Sequence, residues 1–172
     1  MYMSKEIEHK FIVKSDKYKS LAIPTLYRQG YIPTQNGMTV RVRVAGEKGF
    51  ITLKDKTVGI SRNEFEYEIP VNDAKQMLDT ICDYSQIEKY RYLIPAMEPG
   101  LKWEVDEFLG DNAGLVVAEI EVPTEETKFS LPEWIDTEVT GDKRYSNSQL
   151  CKHPYKQWGG EGVVNITSNE QD

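Results

Sequence analysis

The run Val40-Arg41-Val42-Arg43-Val44 alternates charged and branched apolar side chains with a period of two, which marks a β-strand and not a helix. Successive side chains on a strand point to opposite faces. Arg41 and Arg43 therefore share one face, about 7 Å apart, and the three valines share the other. The pattern recurs outward in both directions. Upstream, Glu6-Ile7-Glu8-His9-Lys10-Phe11 places Glu6, Glu8 and Lys10 together. Downstream, Phe50 to Lys54, Arg62 to Ile69, Ile87 to Tyr92, Trp103 to Phe108 and Leu115 to Val122 alternate likewise. One further strand is expected around Gly30 to Thr34.

Helical spacing is rarer. A short helix is expected near Lys17 to Arg28, interrupted by Pro24. Residues 71–82 place Val71, Ala74, Met77, Leu78 and Ile81 on one face, with Asn72 or Asp73 as the cap. A short helix is expected at Asn147 to Lys152. Turn signals at Asn36-Gly37, Gly46, Gly59, Pro99-Gly100 and Gly110-Asp111 make the connections short, and short connections join antiparallel neighbours. The fold class expected is mostly β (α+β): an eight-stranded antiparallel closed barrel.

The charged positions decide which way the barrel faces. Glu6 with Glu8, Glu64 with Glu66, Glu104 with Asp106 and Glu119 with Glu121 are same-face acid pairs. Arg41 with Arg43 and Lys89 with Arg91 are same-face base pairs. Like charges so placed repel, and burial makes the repulsion worse. A cation that needs several oxygen ligands explains the paired acids. An anion with several charged oxygens explains the paired bases. We therefore expect an inside-out barrel with a charged, watered lumen. The opposite faces, among them Phe11, Val42, Val44, Leu53, Phe65, Tyr67, Trp103 and Val105, would form the core, covered by helices and the C-terminal segment.

Composition removes several classes. The 172 residues carry 21 Lys and Arg against 28 Asp and Glu, a formal net charge of −7, which argues against a general nucleic-acid binder. No apolar run approaches the roughly 20 residues of a membrane span, and the N-terminus lacks the apolar stretch of a signal peptide. Two cysteines, Cys82 and Cys151, and two histidines, His9 and His153, leave no disulfide framework, four-thiolate zinc site or multi-histidine centre. The expectations are a cytoplasmic address, one domain over residues 1–158 and a flexible acidic tail over 159–172.

The ordered set of motifs resembles the CYTH family, also called triphosphate tunnel metalloenzymes. Glu6-Ile7-Glu8-His9-Lys10 fits its ExExK signature. Arg41-Val42-Arg43, Thr52-Leu53-Lys54, Arg62-Asn63-Glu64-Phe65-Glu66, Lys89-Tyr90-Arg91-Tyr92, Trp103 to Phe108 and Ala118 to Glu121 follow in the family's order. Glu138 to Asn147 resembles the closing motif of the small bacterial members. The match covers roughly residues 4–152, and departs at His9, where many members carry Arg, and in the tail. The resemblance implies an eight-stranded antiparallel tunnel that binds a triphosphate with divalent metal. Members hydrolyse inorganic tripolyphosphate, nucleoside triphosphates or thiamine triphosphate, or cyclise ATP. The short bacterial type is most often linked to tripolyphosphate.

A site follows. Lys10, Arg41, Arg43, Lys54, Arg62, Lys89 and Arg91 would cage the phosphates, the arginines in bidentate fashion. Glu6, Glu8, Glu119 and Glu121 would hold Mg²⁺ or Mn²⁺, since all are oxygen donors. Glu64, Glu66, Glu104 and Asp106 would orient the ion, the water or the bases, and Glu64 and Glu66 have a plainer alternative as ion-pair partners of Arg41 and Arg43. The resemblance implies a catalytic role for Lys89, with Tyr31; Glu66 is the third catalytic candidate. Lys102, near a turn, is left out, and Lys143 and Arg144 are expected to pair with Asp142. The expected partner is a small-molecule triphosphate, with no nucleic acid, no membrane, and a monomer or homodimer. The alternatives are a class IV adenylyl cyclase, a thiamine triphosphatase, and a non-catalytic polyphosphate- or nucleotide-binding module.

Overall fold

The computed structural model describes residues 7–56 and 63–159. The strands are β1 (Ile7–Val13), β2 (Thr25–Ile32), β3 (Thr39–Ala45), β4 (Lys48–Lys54), β5 (Glu64–Ile69), β6 (Ile87–Pro95), β7 (Lys102–Phe108), β8 (Val116–Val122) and β9 (Ile135–Glu138). The helices are α1 (Val71–Thr80), α2 (Asn147–Lys152) and α3 (Tyr155–Gly159). The chain divides into two compact units, Leu26–Lys89 in one and the flanking stretches in the other. Every strand pair whose register is resolved is antiparallel.

In the unit over Leu26–Lys89, β2 to β5 form a meander. Its apolar face carries Val42 and Val44, on which Ala74, Leu78 and Cys82 close, with Ile51, Ile69 and Met77 alongside. The helix reaches the sheet because Gly49 has no side chain. A Cβ there would stand 2.8 Å from the Ala74 Cβ and 3.1 Å from the Ile69 carbonyl oxygen. The ten-residue helix lies on β3 and β4, and apolar positions beyond it stay uncovered. Phe65, Tyr67 and Leu53 were expected in the core and are instead exposed.

In the other unit, β1 pairs with β8 and β8 with β7. Phe11, Trp103, Val105, Ala118, Ile120 and Val122 form one apolar face. Among the described residues, no α-helix lines this core cluster. Tyr18, from a 3-10 turn at Lys17–Ser20, and Phe129, Trp134 and Ile135, from β9 and the segment before it, close over the strands. Edge-to-face contacts such as Trp103 with Trp134 at 5.9 Å and Tyr18 with Tyr92 at 5.1 Å fill the space.

Four expectations need correction. No helix spans Lys17 to Arg28. A 3-10 turn stops at Ser20, and β2 begins at Thr25, because Pro24 holds its neighbour extended and Thr25, Leu26 and Tyr27 suit a strand. Neither Asn72 nor Asp73 caps α1; Pro70 occupies that position, with no side-chain cap. Among the described residues the strand count is nine, since Ile135–Glu138 pairs with β1; four residues are too few to show alternation. The sheet is also not closed. The first strand and the eighth are neighbours as closure would require, but the order β5-β4-β3-β2-β6-β7-β8-β1-β9 leaves β5 and β9 at its ends. Residues from 160 onward, nearly all of the expected tail, lie outside the described residues, as do Glu6 and Arg62.

Candidate active site

Residues directly opposite each other on paired strands share a face, so the registers fix which charges meet. Around β1, β7 and β8, Glu8 faces Glu121, Glu104 faces Glu119, and Lys10 faces Glu119. Two like-charge pairs stand directly opposed, an arrangement that costs stability in a sheet. Glu8, Glu104, Glu119 and Glu121 line a cavity of about 510 Å³ together with Lys102. Lys102, which the sequence argument left out, thus reaches the acidic site. The opposition is only partly relieved. The Lys10 ammonium lies 3.2 Å from Glu119 and donates to the Tyr145 carbonyl at 3.4 Å. Burial, then the carboxylates of Glu119, Glu121 and Glu104 push Glu8 up to about 7, against the pull of Lys10. The side chain is open to the cavity, and three carboxylates crowd it there. Among the described residues, no three carboxylate, imidazole or thiol groups already converge on a metal position.

Lys10 is held from the far side of β1. Its backbone N–H donates to the Thr140 hydroxyl at 2.9 Å, and its carbonyl accepts from the Val139 N–H at 2.7 Å. His9 points away from the acids and meets Glu138 at 2.8 Å. The Thr140 hydroxyl and His9 hold the Glu138 carboxyl below its ordinary value. His9 therefore belongs to the β1–β9 seam, and its departure from the family signature leaves the acid cluster untouched.

On β6 and β7, Arg91 is clamped by Asp106, with Nε and a terminal nitrogen donating at 2.8 and 2.9 Å. Its other nitrogen stands 3.4 Å from Glu104. Asp106 is buried and acts as an anchor for this guanidinium.

The unit over Leu26–Lys89 carries the paired bases of β3, set among acids of its own. Arg41 donates to Thr52 Oγ1 at 3.1 Å and to Glu66 at 3.2 Å, and Thr52 donates to the same Glu66 oxygen at 2.7 Å. Lys54 pairs with Glu64 at 3.8 Å. Glu66 thus takes Arg41, as the plainer reading had it, whereas Glu64 takes Lys54. Arg41 Nε is buried with no hydrogen-bond partner. Such a donor costs about 1–3 kcal/mol if left unmade, and an anion oxygen would satisfy it. Two neutral groups touch Arg43. Its Nε donates to Gln29 at 2.9 Å and its guanidinium sits 5.0 Å over the Tyr27 ring. The Lys89 ammonium lies 5.9 Å from the same ring, and Lys89 is wholly buried. Tyr31 receives the Gln29 amide at 3.5 Å.

Gln29, Thr52 and Tyr27 were not singled out from the sequence. Gln29 and Thr52 are fully buried polar residues. Parity alone would have placed Gln29 with Tyr31, and Thr52 with Lys54. As expected, Arg144 pairs with Asp142 at 2.7 Å.

A CYTH domain model matches residues 4–153. A protein of Acetivibrio thermocellus named inorganic triphosphatase is 56% identical over 156 residues, covering 91% of this chain and 99% of that one. One of Nitrosomonas europaea with the same name is 37% identical over 150 residues, covering 85% and 96%. The crystal structure of an inorganic triphosphatase superposes with a TM-score of 0.68 at 31% identity, covering 88% of this chain and 97% of that one.

Proposed function

Because the chain belongs to the CYTH domain family, we propose that it is a divalent-metal-dependent triphosphatase, a hydrolase that cleaves a phosphoanhydride bond of inorganic tripolyphosphate. The observation that carries this reading is the crowding of like charges: opposed glutamate pairs around one cavity, and two arginines with a buried lysine on other strands. Relatives named inorganic triphosphatase, matched over most of their length, support it. In this reading residues 1–158 act as one functional domain, and the family match across 4–153 supports that extent. A cytoplasmic address belongs to the same proposal. Among the described residues, no helix is long and apolar enough to cross a membrane.

Glu8, Glu119 and Glu121 would hold the ion, with Glu6 beside them in sequence. The acid crowding that raises Glu8 is the strain that a cation relieves, and an all-oxygen donor set suits Mg²⁺ or Mn²⁺. A bound ion of this kind neutralises phosphate oxygens and lowers the pKa of water. Phosphoryl transfer then rests on positioning and on charge placed where it develops. Arg41, Arg43, Lys54 and Lys10 bind the phosphate oxygens, with Arg62 a further candidate. Arg91, clamped by Asp106 and Glu104, contributes a fixed cation. Lys89 and Tyr31 act at the reacting phosphate, and Glu66 with Thr52 positions Arg41.

The test is phosphate release from tripolyphosphate, ATP and thiamine triphosphate in Mg²⁺, Mn²⁺ and chelator. Tripolyphosphate with metal is expected to be turned over fastest, and chelator to stop it. No phosphate from any of the three overturns the reading.

A further inference from the structure

Arg41 and Arg43 lie on one face of β3, two residues apart, yet their Nε atoms are treated differently. That of Arg41 has no partner, whereas that of Arg43 donates at 2.9 Å to Oε1 of Gln29. Gln29 faces Arg43 directly across the β2–β3 ladder, and Tyr31 faces Arg41. Gln29 is wholly buried. A glutamine in such a place must satisfy both ends of its amide or lose stability.

The polarity of this amide is forced. A guanidinium only donates, so the Gln29 oxygen faces Arg43 and the nitrogen faces the other way. That nitrogen lies 3.5 Å from the Tyr31 hydroxyl oxygen and donates to it. The Tyr31 oxygen is thus an acceptor toward Gln29, and its own O–H is turned elsewhere. Arg43 dictates the Gln29 amide, and the amide keeps the Tyr31 proton from pointing at Gln29. Because Gln29 is neutral, it fixes the guanidinium without a negative charge of its own, unlike Glu66 at Arg41.

We propose that Gln29 is a positioning residue for tripolyphosphate hydrolysis, holding Arg43 in place and aiming the Tyr31 O–H as a hydrogen-bond donor toward the substrate. This rests on the triphosphatase reading. Gln29 does not itself touch the phosphates; it acts through Arg43 and Tyr31. The carboxylate of Gln29→Glu would still accept from Arg43 but would draw the Tyr31 proton toward itself. Gln29→Met keeps the bulk and deletes both hydrogen bonds.

The test compares Gln29→Met and Gln29→Glu, each alone and combined with Tyr31→Phe, with a melting curve for each variant. Affinity for tripolyphosphate in chelator is measured separately by calorimetry. Gln29→Met is expected to lower kcat about tenfold, the size of a misplaced donor at a reacting group. In the Tyr31→Phe background it should change kcat less than about twofold, since residues acting as a unit are not additive. Gln29→Glu should keep Arg43 seated but cancel its charge, so it should weaken affinity at least as much as Gln29→Met and lose kcat as much. A purely structural role would lower the melting temperature of both variants and leave kcat per folded molecule unchanged. That result, or an equal loss with and without the Tyr31 hydroxyl, overturns the inference while the hydrolase reading stands. If the wild type binds tripolyphosphate and does not cleave it, the hydrolase reading falls, and the affinity arm decides for Gln29. A Gln29→Met affinity about tenfold weaker than wild type keeps it as the support of Arg43, and one within about twofold overturns it.

Discussion

With Glu121 opposite it on β8 and Glu119 next on the same face, Glu8 ionises against a field of its own sign. An unfolded glutamate titrates near 4.5, and Glu8 in the folded, metal-free chain titrates at about 7. Between those pH values the folded chain holds a proton that the unfolded chain has released. The stability from this group is therefore present below about 4.5 and is lost as the pH rises through 7. In chelator, the wild type should lose melting temperature relative to Glu8→Gln between pH 5 and pH 8, by a few degrees at most because cavity water screens part of the repulsion. Mg²⁺ at pH 8 should restore the wild type and leave Glu8→Gln less changed. Parallel melting curves for the two proteins across that range would refute the assignment of strain to Glu8. The acids of this cluster were legible in the sequence because charge at i and i+2 stands out. Gln29 and Thr52 were not, because a neutral polar side chain on a charged face gives no signal until its burial is known.

Among the elements, the strands read most clearly, since alternation survives wherever one face is charged and the other packed. Signals that depend on neighbours were lost. Thr25 to Arg28 had helical company on paper, but they pair with β3 through Tyr27 and Arg28. Phe65 and Tyr67 have the parity of core residues, yet α1 lies on β3 and β4 and leaves them exposed. That shortfall is set by where the helix is seated. Gly49 lets α1 approach so closely that an added Cβ meets the Ala74 Cβ at 2.8 Å, the Ile69 carbonyl at 3.1 Å and the Val71 Cα at 3.2 Å. Two of these three atoms are backbone and cannot swing aside. Gly49→Ala should cost about 1–3 kcal/mol by overpacking, seen as a lower denaturation midpoint at unchanged slope. Adding Ala74→Gly should recover only part of it. Full recovery would mean that the helix rests on the Ala74 methyl alone, and no loss at all would mean that it sits farther from β4 than the packing indicates.

On the scale of the whole molecule, the net charge of −7 falls wholly outside Leu26–Lys89, where bases and acids balance. The acid pairs of β1, β7 and β8 belong to one compact unit, and Arg41, Arg43, Lys54 and Lys89 belong to the other. If the proposed function holds, each unit answers first to its own ligand. A divalent cation removes the Glu8–Glu121 and Glu104–Glu119 opposition, so Mg²⁺ alone should slow amide exchange in β1 and β8. Tripolyphosphate in chelator supplies the acceptor that Arg41 Nε lacks, so it should slow exchange in β3 and β4 with little effect on β1 and β8. Whatever binds the folded chain alone stabilises it, by about 2.7 kcal/mol at a hundred times its Kd. Mg²⁺ and a tripolyphosphate analogue that resists hydrolysis, added together, should raise the melting temperature by more than the sum of the two separate shifts. That excess is expected because a metal bound to the glutamates also attracts the anion, and the coupling is reciprocal. Hydrogen exchange followed by peptide mass spectrometry can read these three conditions against the ligand-free chain. Protection of β3 and β4 by Mg²⁺ alone, or of β1 and β8 by the anion alone, would mean that the placement of the acid and base pairs does not govern ligand choice.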